Sequence, residues 1–246
     1  MNSDIRLRYS RQIMLNEIGT HGQEKLINSK VLVVGAGGLG SSILYYLGAA
    51  GIGTIGIVDF DEVDLTNLQR QIIHFTDDLG KKKVESAAEK LQKINPDLKV
   101  IKYPVKLDED NIKDLVKQYD VVVNAVDNLA IRYLLSDCCY TLKKVLVEAG
   151  VTGFDGIIMT IIPDKSPCYR CFMPECSEDN AISVCTDVGI IGMAAGIIGS
   201  LQALEVVKTI LDIGNTLFDR ILYFDGLALD FKEIKREKRS NCFLCG

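Results

Sequence analysis

A short β-branched run, Lys30-Val-Leu-Val-Val34, is cut off by Gly35-Ala-Gly-Gly-Leu-Gly40, and helical periodicity follows from Leu39 to Ala50. Few folds use that order. A strand that breaks on glycines and re-forms as a helix opens a parallel βα unit. Its glycines permit a tight turn and close approach to an anion, and the first helical N–H groups have no partner in their own helix. The next strand, Thr54-Ile-Gly-Ile-Val-Asp59, ends in a carboxylate nineteen residues past Gly40, where it can accept hydrogen bonds from ribose hydroxyls. Gly35, Gly37, Gly38, Gly40 and Asp59 are therefore candidate nucleotide-binding residues. A purely structural turn would explain the glycines and leave Asp59 aside. No Gly-Lys-Ser/Thr follows, so this is not a P-loop, and the loop alone does not choose between NAD and ATP.

Further strands are predicted at Leu98–Tyr103, Asp120–Asn124 and Val145–Glu148. They alternate with helices over Lys81–Ile94, Asp110–Gln118 and Leu129–Thr141, while residues 4–29 are helix-compatible. The alternation predicts an α/β, Rossmann-like fold with a mostly parallel, doubly wound sheet. After Gly150, strands at Gly156–Ile162, Arg220–Asp225 and Leu227–Ile234 predict an antiparallel extension. The 246 residues, 48% hydrophobic and 25% charged, suit one domain over 1–246 that needs no disulfides. Met173–Thr186 is polar and aperiodic, a mobile connection by expectation. Val188–Leu201 is apolar but falls short of the roughly 18 residues of a membrane span before Gln202, Glu205 and Lys208, so a buried core helix is expected. Met1–Glu17 lacks an apolar leader core, and a cytoplasmic location is expected. A net charge of −5 gives no basic footprint for nucleic acid.

Cations gather downstream of Asp59. Asp64-Leu-Thr-Asn-Leu-Gln-Arg-Gln71 precedes Gly80-Lys-Lys-Lys-Val84, and Arg8-Tyr-Ser-Arg-Gln12 lies near the N-terminus. A nicotinamide dehydrogenase has little use for several cations at its cofactor, whereas cleavage between the α- and β-phosphates of ATP releases charge that Arg and Lys can stabilise. Blander readings exist. Arg11 and Arg70 can be solvated surface charges, as Lys81 and Lys82 are taken to be, and Asp127-Asn128 can cap the helix that begins at Leu129.

Cys168-Tyr-Arg-Cys171 and Cys242-Phe-Leu-Cys245 each present two thiols on one turn, and two such turns can complete a tetrahedral, structural zinc site with no open position. Two separate redox or incidental pairs are the alternative. Cys138 and Cys139 fall in an apolar helical pattern and read as core. Cys176 and Cys185 stand alone.

Taken in order, the Arg-Tyr-Ser-Arg-Gln opening, the glycine loop, Asp59-Phe-Asp61, Asn67-Leu-Gln-Arg-Gln71, Lys83, Ala125-Val-Asp-Asn128 and the cysteine pairs resemble the ThiF/MoeB/HesA family of ubiquitin-activating-like enzymes over nearly the whole chain. The resemblance implies ATP-dependent adenylation of the C-terminal Gly-Gly carboxylate of a ubiquitin-fold sulfur carrier. Acyl-AMP and pyrophosphate would form ahead of a thiocarboxylate in thiamine or molybdenum cofactor biosynthesis. It implies Asp59 on the ribose, with Asp61 and Asn128 at the same site. Asn67, Arg70 and Gln71 would lie at the phosphates, Lys83 near the leaving group, and Asp127 on Mg²⁺. Arg11 would reach the nucleotide of a neighbouring subunit in a homodimer. It also brings the cysteine pairs together around zinc. In some relatives a cysteine placed like Cys185 meets the activated carrier, and a persulfide donor supplies sulfur. An NAD-dependent oxidoreductase, a zinc-stabilised binding module, and an enzyme activating a peptide or tRNA carboxylate are the competing readings.

Overall fold

A computed structural model of the chain describes residues 3–174 and 189–246. Eight strands form one sheet: β1 (Lys30–Val34), β2 (Thr54–Val58), β3 (Lys99–Tyr103), β4 (Val121–Asn124), β5 (Val145–Thr152), β6 (Asp155–Ile161), β7 (Arg220–Asp225) and β8 (Asp230–Lys235). Their order is β3-β2-β1-β4-β5-β6-β7-β8. The first five are parallel and the last three join antiparallel, as the sequence pattern predicts. Among the described residues the helices are α1 (Ser3–Arg8), α2 (Ser10–Ile13), α3 (Gly19–Asn28), α4 (Gly38–Ala50), α5 (Lys83–Ile94), α6 (Ile112–Val116), α7 (Leu129–Thr141), α8 (Tyr169–Phe172) and α9 (Gly192–Leu211).

Helices cover both faces of the sheet, so its central strands are apolar on both sides. Val31, Val33, Ile55, Ile57, Val121 and Val123 point into a core shared with α3, α4, α5 and α9. The alternate residues Leu32, Val34, Val58 and Val122 point into a second core with α6 and α7, where Cys138 and Cys139 are buried as expected. Period-two alternation thus feeds two cores.

The helix α9 has 20 residues and is apolar enough to span a membrane by length and composition. Its polar residues bind the sheet instead. Gln202 donates to the Asn124 carbonyl at 2.8 Å, and buried Glu205 accepts from Thr160 Oγ1 at 2.6 Å and the Leu217 N–H at 2.8 Å.

Among the boundaries that differ from expectation, three have a visible physical cause. The last strand starts at Asp230 because Asp225 Oδ1 accepts the N–H groups of Leu227 and Ala228, closing a turn that needs Leu229 at φ 52°. The helix α5 starts at Lys83, since Lys81 and Lys82 pair with Val63 and Glu62. Strand β5 runs past Glu148 to Thr152 into a hairpin at Gly153. The connection expected at 173–186 falls largely on residues 175–188, outside the described residues.

Chain direction reverses its lateral progress between β1 and β4. Ligands of open α/β sheets bind in the crevice outside the carboxyl ends of the strands at such a switch point. The glycine loop, Asp59 and the 125–128 segment all leave those ends.

Candidate functional site

Strand β1 ends at Val34, and Gly35 turns the chain with φ 101° while its N–H donates to Val58 at 2.8 Å. A Cβ on Gly35 would stand 2.6 Å from the Ala125 carbonyl, and one on Gly40 would collide with the Gly35 carbonyl. Those two glycines are required by the protein itself. Gly37 is not: a Cβ there would meet nothing nearer than Gln71 Nε2 at 3.6 Å. The space at Gly37 is therefore a cradle that a side chain would fill. Gln71 borders it, only 5% exposed, with its Oε1 lacking a hydrogen-bond partner. Open space, unpaired N–H groups at the start of α4 and the Gln71 Nε2 donor that faces Gly37 fit a nucleotide phosphate.

Asp59 closes the loop from the side. Its Oδ2 accepts the Ala36 N–H at 2.8 Å and its Oδ1 the Asp61 N–H at 2.9 Å. Burial raises its pKa, and Lys83 with the two N–H groups opposes that rise. Lys83, the first residue of α5, is buried at the positive end of a helix dipole, a poor place for a cation. Asp61 compensates at 2.8 Å. Asn67 belongs to a turn in which Asp64 accepts from the Thr66 N–H at 2.8 Å and the Asn67 carbonyl oxygen Oδ1 from the Asp64 N–H at 3.3 Å. Arg70 donates from Nη1 to the Thr66 carbonyl at 3.0 Å. The backbone at Gln69–Arg70 is wedged between α4 and α9: a Cβ on Gly38 would meet the Arg70 carbonyl at 3.6 Å, and one on Gly192 the Gln69 carbonyl at 2.6 Å.

Across the switch point, Asp127 and Asn128 are exposed at the end of β4. Asn128 caps α7, accepting the Ile131 N–H at 3.1 Å, so the capping role falls to Asn128 and not to Asp127. Arg132 braces this segment from behind, donating to the Val126 and Ala149 carbonyls at 2.7 Å each and pairing with buried Glu148. Burial pushes the Glu148 pKa up to about 6 despite Arg132 and Asn124.

Two other groups lie elsewhere. Gln12 of α2 donates to the Ala50 carbonyl at 3.0 Å, at the far end of α4. That helix has 13 residues and a rise of about 1.5 Å each, which sets exposed Arg11 on the order of 20 Å from its own glycine loop. Cys168, Cys171, Cys242 and Cys245 converge beside the second core, with Sγ–Sγ separations of 3.3–3.9 Å among the hydrogen-bonding pairs. A tetrahedral ion with metal–sulfur bonds of about 2.3 Å needs edges of about 3.8 Å, so the four thiols fit a metal. Arg170, stacked between Tyr133 and Phe243 and paired with Asp137, steadies the first turn. Cys176 and Cys185 lie outside the described residues.

A protein-family model described as the ThiF family matches residues 9–244. The chain belongs to the ThiF family. This ThiF-family chain is 45% identical over 246 residues to the adenylyltransferase and sulfurtransferase MOCS3 of Culex quinquefasciatus, covering all of itself and 56% of that protein. It is 41% identical over 239 residues to the SAMP-activating enzyme E1 of Haloferax volcanii, covering 97% of itself and 88% of that protein. It thus spans little more than half the length of the MOCS3 relative. Its fold matches a crystal structure of E. coli MccB with a TM-score of 0.87 and 24% identity over 97% of this chain and 75% of that one.

Behind the glycine loop of this ThiF-family chain, four buried polar residues that belong to no motif join in one network. His74 lies 2.9 Å from the Ala36 carbonyl through Nε2 and 2.8 Å from Ser86 Oγ through Nδ1. Lys90 reaches Ser86 Oγ at 3.0 Å and pairs with Asp78. The only hint in the sequence is that Ser86 and Lys90, four apart, adjoin the apolar stripe Val84, Ala87, Leu91 of α5. Burial lowers the His74 pKa to about 4, Lys83 and Lys90 reinforcing the shift and the Ala36 bond and Asp78 opposing it. Burial would raise Asp78, but hydrogen bonds from Lys90, the Phe75 N–H and Lys81 hold it well below the usual carboxylate range.

As pH falls below 6.5 the unfolded chain takes up the His74 proton before the folded chain does. The stability contribution is complete above 6.5 and lost as pH drops toward about 4, and the total is on the order of 3 kcal/mol. Urea unfolding across that window should show the loss in wild type and a flatter profile in His74→Gln. Identical profiles would contradict the assignment.

Proposed function

We propose that this chain uses ATP to adenylate the C-terminal carboxylate of a ubiquitin-fold sulfur carrier ending in Gly-Gly. The observation that carries the reading is the pairing of a ribose-type carboxylate, Asp59, with Arg70 and buried Lys83 around one glycine loop. A dehydrogenase gives the two cations no task. The names of the two relatives, one an adenylyltransferase and sulfurtransferase and one a SAMP-activating enzyme, point the same way.

In the proposed reaction a carboxylate oxygen of the carrier attacks the α-phosphorus in line. A P–O bond forms as the bond to the β-phosphate oxygen breaks, giving acyl-AMP and pyrophosphate. Asp59 would hold the ribose, the Gly37 and Gly38 N–H groups the phosphates, and Asn67, Arg70 and Gln71 the charge at their edge. Lys83 would exchange part of its pairing with Asp61 for the leaving pyrophosphate. Mg²⁺, held through Asp127, would neutralise phosphate charge. The substrate supplies its own nucleophile, so the protein's share is position and electrostatics. The terminal sulfur of a separate donor's cysteine persulfide would then displace AMP to form an acyl disulfide. A second thiol, with Cys185 as the candidate relay, would attack the donor-side sulfur, leaving a disulfide and releasing the thiocarboxylate for thiamine or molybdenum cofactor synthesis in the cytoplasm.

Arg11, too far from its own loop, would serve the site of a second copy. The helices α4 and α9 leave Tyr46, Met193 and Leu204 exposed, an apolar face suited to a homodimer. The four cysteines would hold a structural zinc.

ATP–pyrophosphate exchange should appear with Mg²⁺ and a matching Gly-Gly carrier and fall by about 100-fold or more in Asp127→Ala. Cys185→Ala should keep the exchange and lose thiocarboxylate. No exchange with any such carrier, alongside tight NAD binding, would overturn the reading. Arg11→Ala and Asp127→Ala, each inactive alone, should recover activity when co-assembled; a mixture as inactive as its parts would exclude shared sites. Metal analysis should find one zinc per chain, lost together with thermal stability in Cys242→Ser/Cys245→Ser; a metal-free protein of equal stability would exclude it.

A further inference from the structure

We propose that His74 is a positioning residue that aims the Gly37 N–H of the glycine loop at an ATP phosphate. The inference rests on the adenylation reading, because it needs a phosphate at Gly37.

The Ala36 carbonyl and the Gly37 N–H belong to one peptide unit, and in a trans peptide they point in opposite directions. Whatever holds the carbonyl therefore sets the direction of the donor. His74 Nε2 holds it at 2.9 Å from behind the loop, with the ring 3% exposed. Glycine at position 37 makes this hold necessary, since without a Cβ the peptide can rotate at little cost.

The polarity of the contact is determined by its neighbours. A carbonyl only accepts, so Nε2 carries the proton and Nδ1 is left as an acceptor. Lys90 only donates, so Ser86 Oγ accepts from Lys90 at 3.0 Å and turns its own proton to Nδ1 at 2.8 Å. Lys90 is held in turn by Asp78 and by the Phe75 ring at 4.8 Å, and Asp78 accepts the Phe75 N–H at 2.8 Å. The chain of donors runs one way, from Lys90 through Ser86 and His74 to Ala36. On the other side, the Ala36 N–H is tied to Asp59 at 2.8 Å. Both polar atoms of Ala36 are thus fixed by side chains, one of them the carboxylate placed on the ribose. A buried ammonium, carboxylate, imidazole and hydroxyl are costly to assemble where apolar residues would pack, and the loop peptide is what this network acts on.

Calorimetry with MgATP, followed by steady-state kinetics with the carrier, separates the possibilities. His74→Leu should raise the ATP Kd and KM about tenfold, a lost hydrogen bond to a charged group. Saturating kcat and the carrier KM should stay within about twofold, the pattern of lost uniform binding. His74→Gln, whose amide can donate to the same carbonyl, should bind ATP within about threefold of wild type. Wild-type affinity in His74→Leu, or equal losses in Leu and Gln, would overturn the role. A second measurement does not need the variants to fold: nitrogen-15 NMR of wild type should show His74 protonated at Nε2 and a large shift of the Gly37 amide on ATP addition. A Gly37 amide unmoved at saturation would overturn the inference alone. No ATP binding by wild type would overturn the adenylation reading, and this inference with it.

Discussion

At Gly35 the chain must turn where no side chain fits, with the Ala125 carbonyl 2.6 Å from the Cβ it lacks. That contact ties the end of β1 to the end of β4, the two strands that flank the switch point. The same close packing starts α4 directly over the crevice, because Gly40 passes against the Gly35 carbonyl. Backbone N–H groups then face the opening, and Asp59 from β2 and Asp127 from β4 arrive from either side. The turn thus gathers the loop N–H groups, Asp59 and Asp127 at one crevice.

Charge is arranged around the turn by compensation. Lys83 occupies the positive end of α5, where a buried ammonium is tolerated because Asp61 pairs with it and Asp59 lies near. Asp61 is half exposed, so water screens its side of the pair while the lysine side is buried. Lys90, about two helical turns further along, is matched by Asp78 and donates to Ser86 Oγ. One helix thus buries two ammonium groups, Lys83 paired with Asp61 and Lys90 paired with Asp78.

Much of this was legible in the sequence because it depends on short-range pattern. β-branched runs broken by glycine, a carboxylate after the second strand and alternating helical periods specify the parallel sheet and the antiparallel extension. The four clustered cysteines follow from paired turns, although only the returning C-terminus brings them to within bonding distance of one ion. Leu227–Leu229 looked like strand because its apolar residues alternate; the Asp225 side chain captures the N–H groups and makes it a turn. His74, Ser86, Lys90 and Asp78 left no pattern, since a polar residue in an amphipathic helix gives no sign of a buried partner from another segment. Arg132 and Glu148 escaped for the same reason, meeting only when α7 folds back on β5.

The proposed function puts ATP in the crevice at the β1–β4 switch point, its ribose on Asp59 and its phosphates over Gly37 and Gly38. A crystal structure of the chain with a non-hydrolysable ATP analogue and Mg²⁺ tests it most directly. Ribose hydroxyls should lie within hydrogen-bond distance of Asp59, phosphate oxygens on the Gly37 and Gly38 N–H groups, and Lys83 should turn toward the β- and γ-phosphates. An analogue bound away from the glycine loop, or phosphates turned from Lys83, would contradict it.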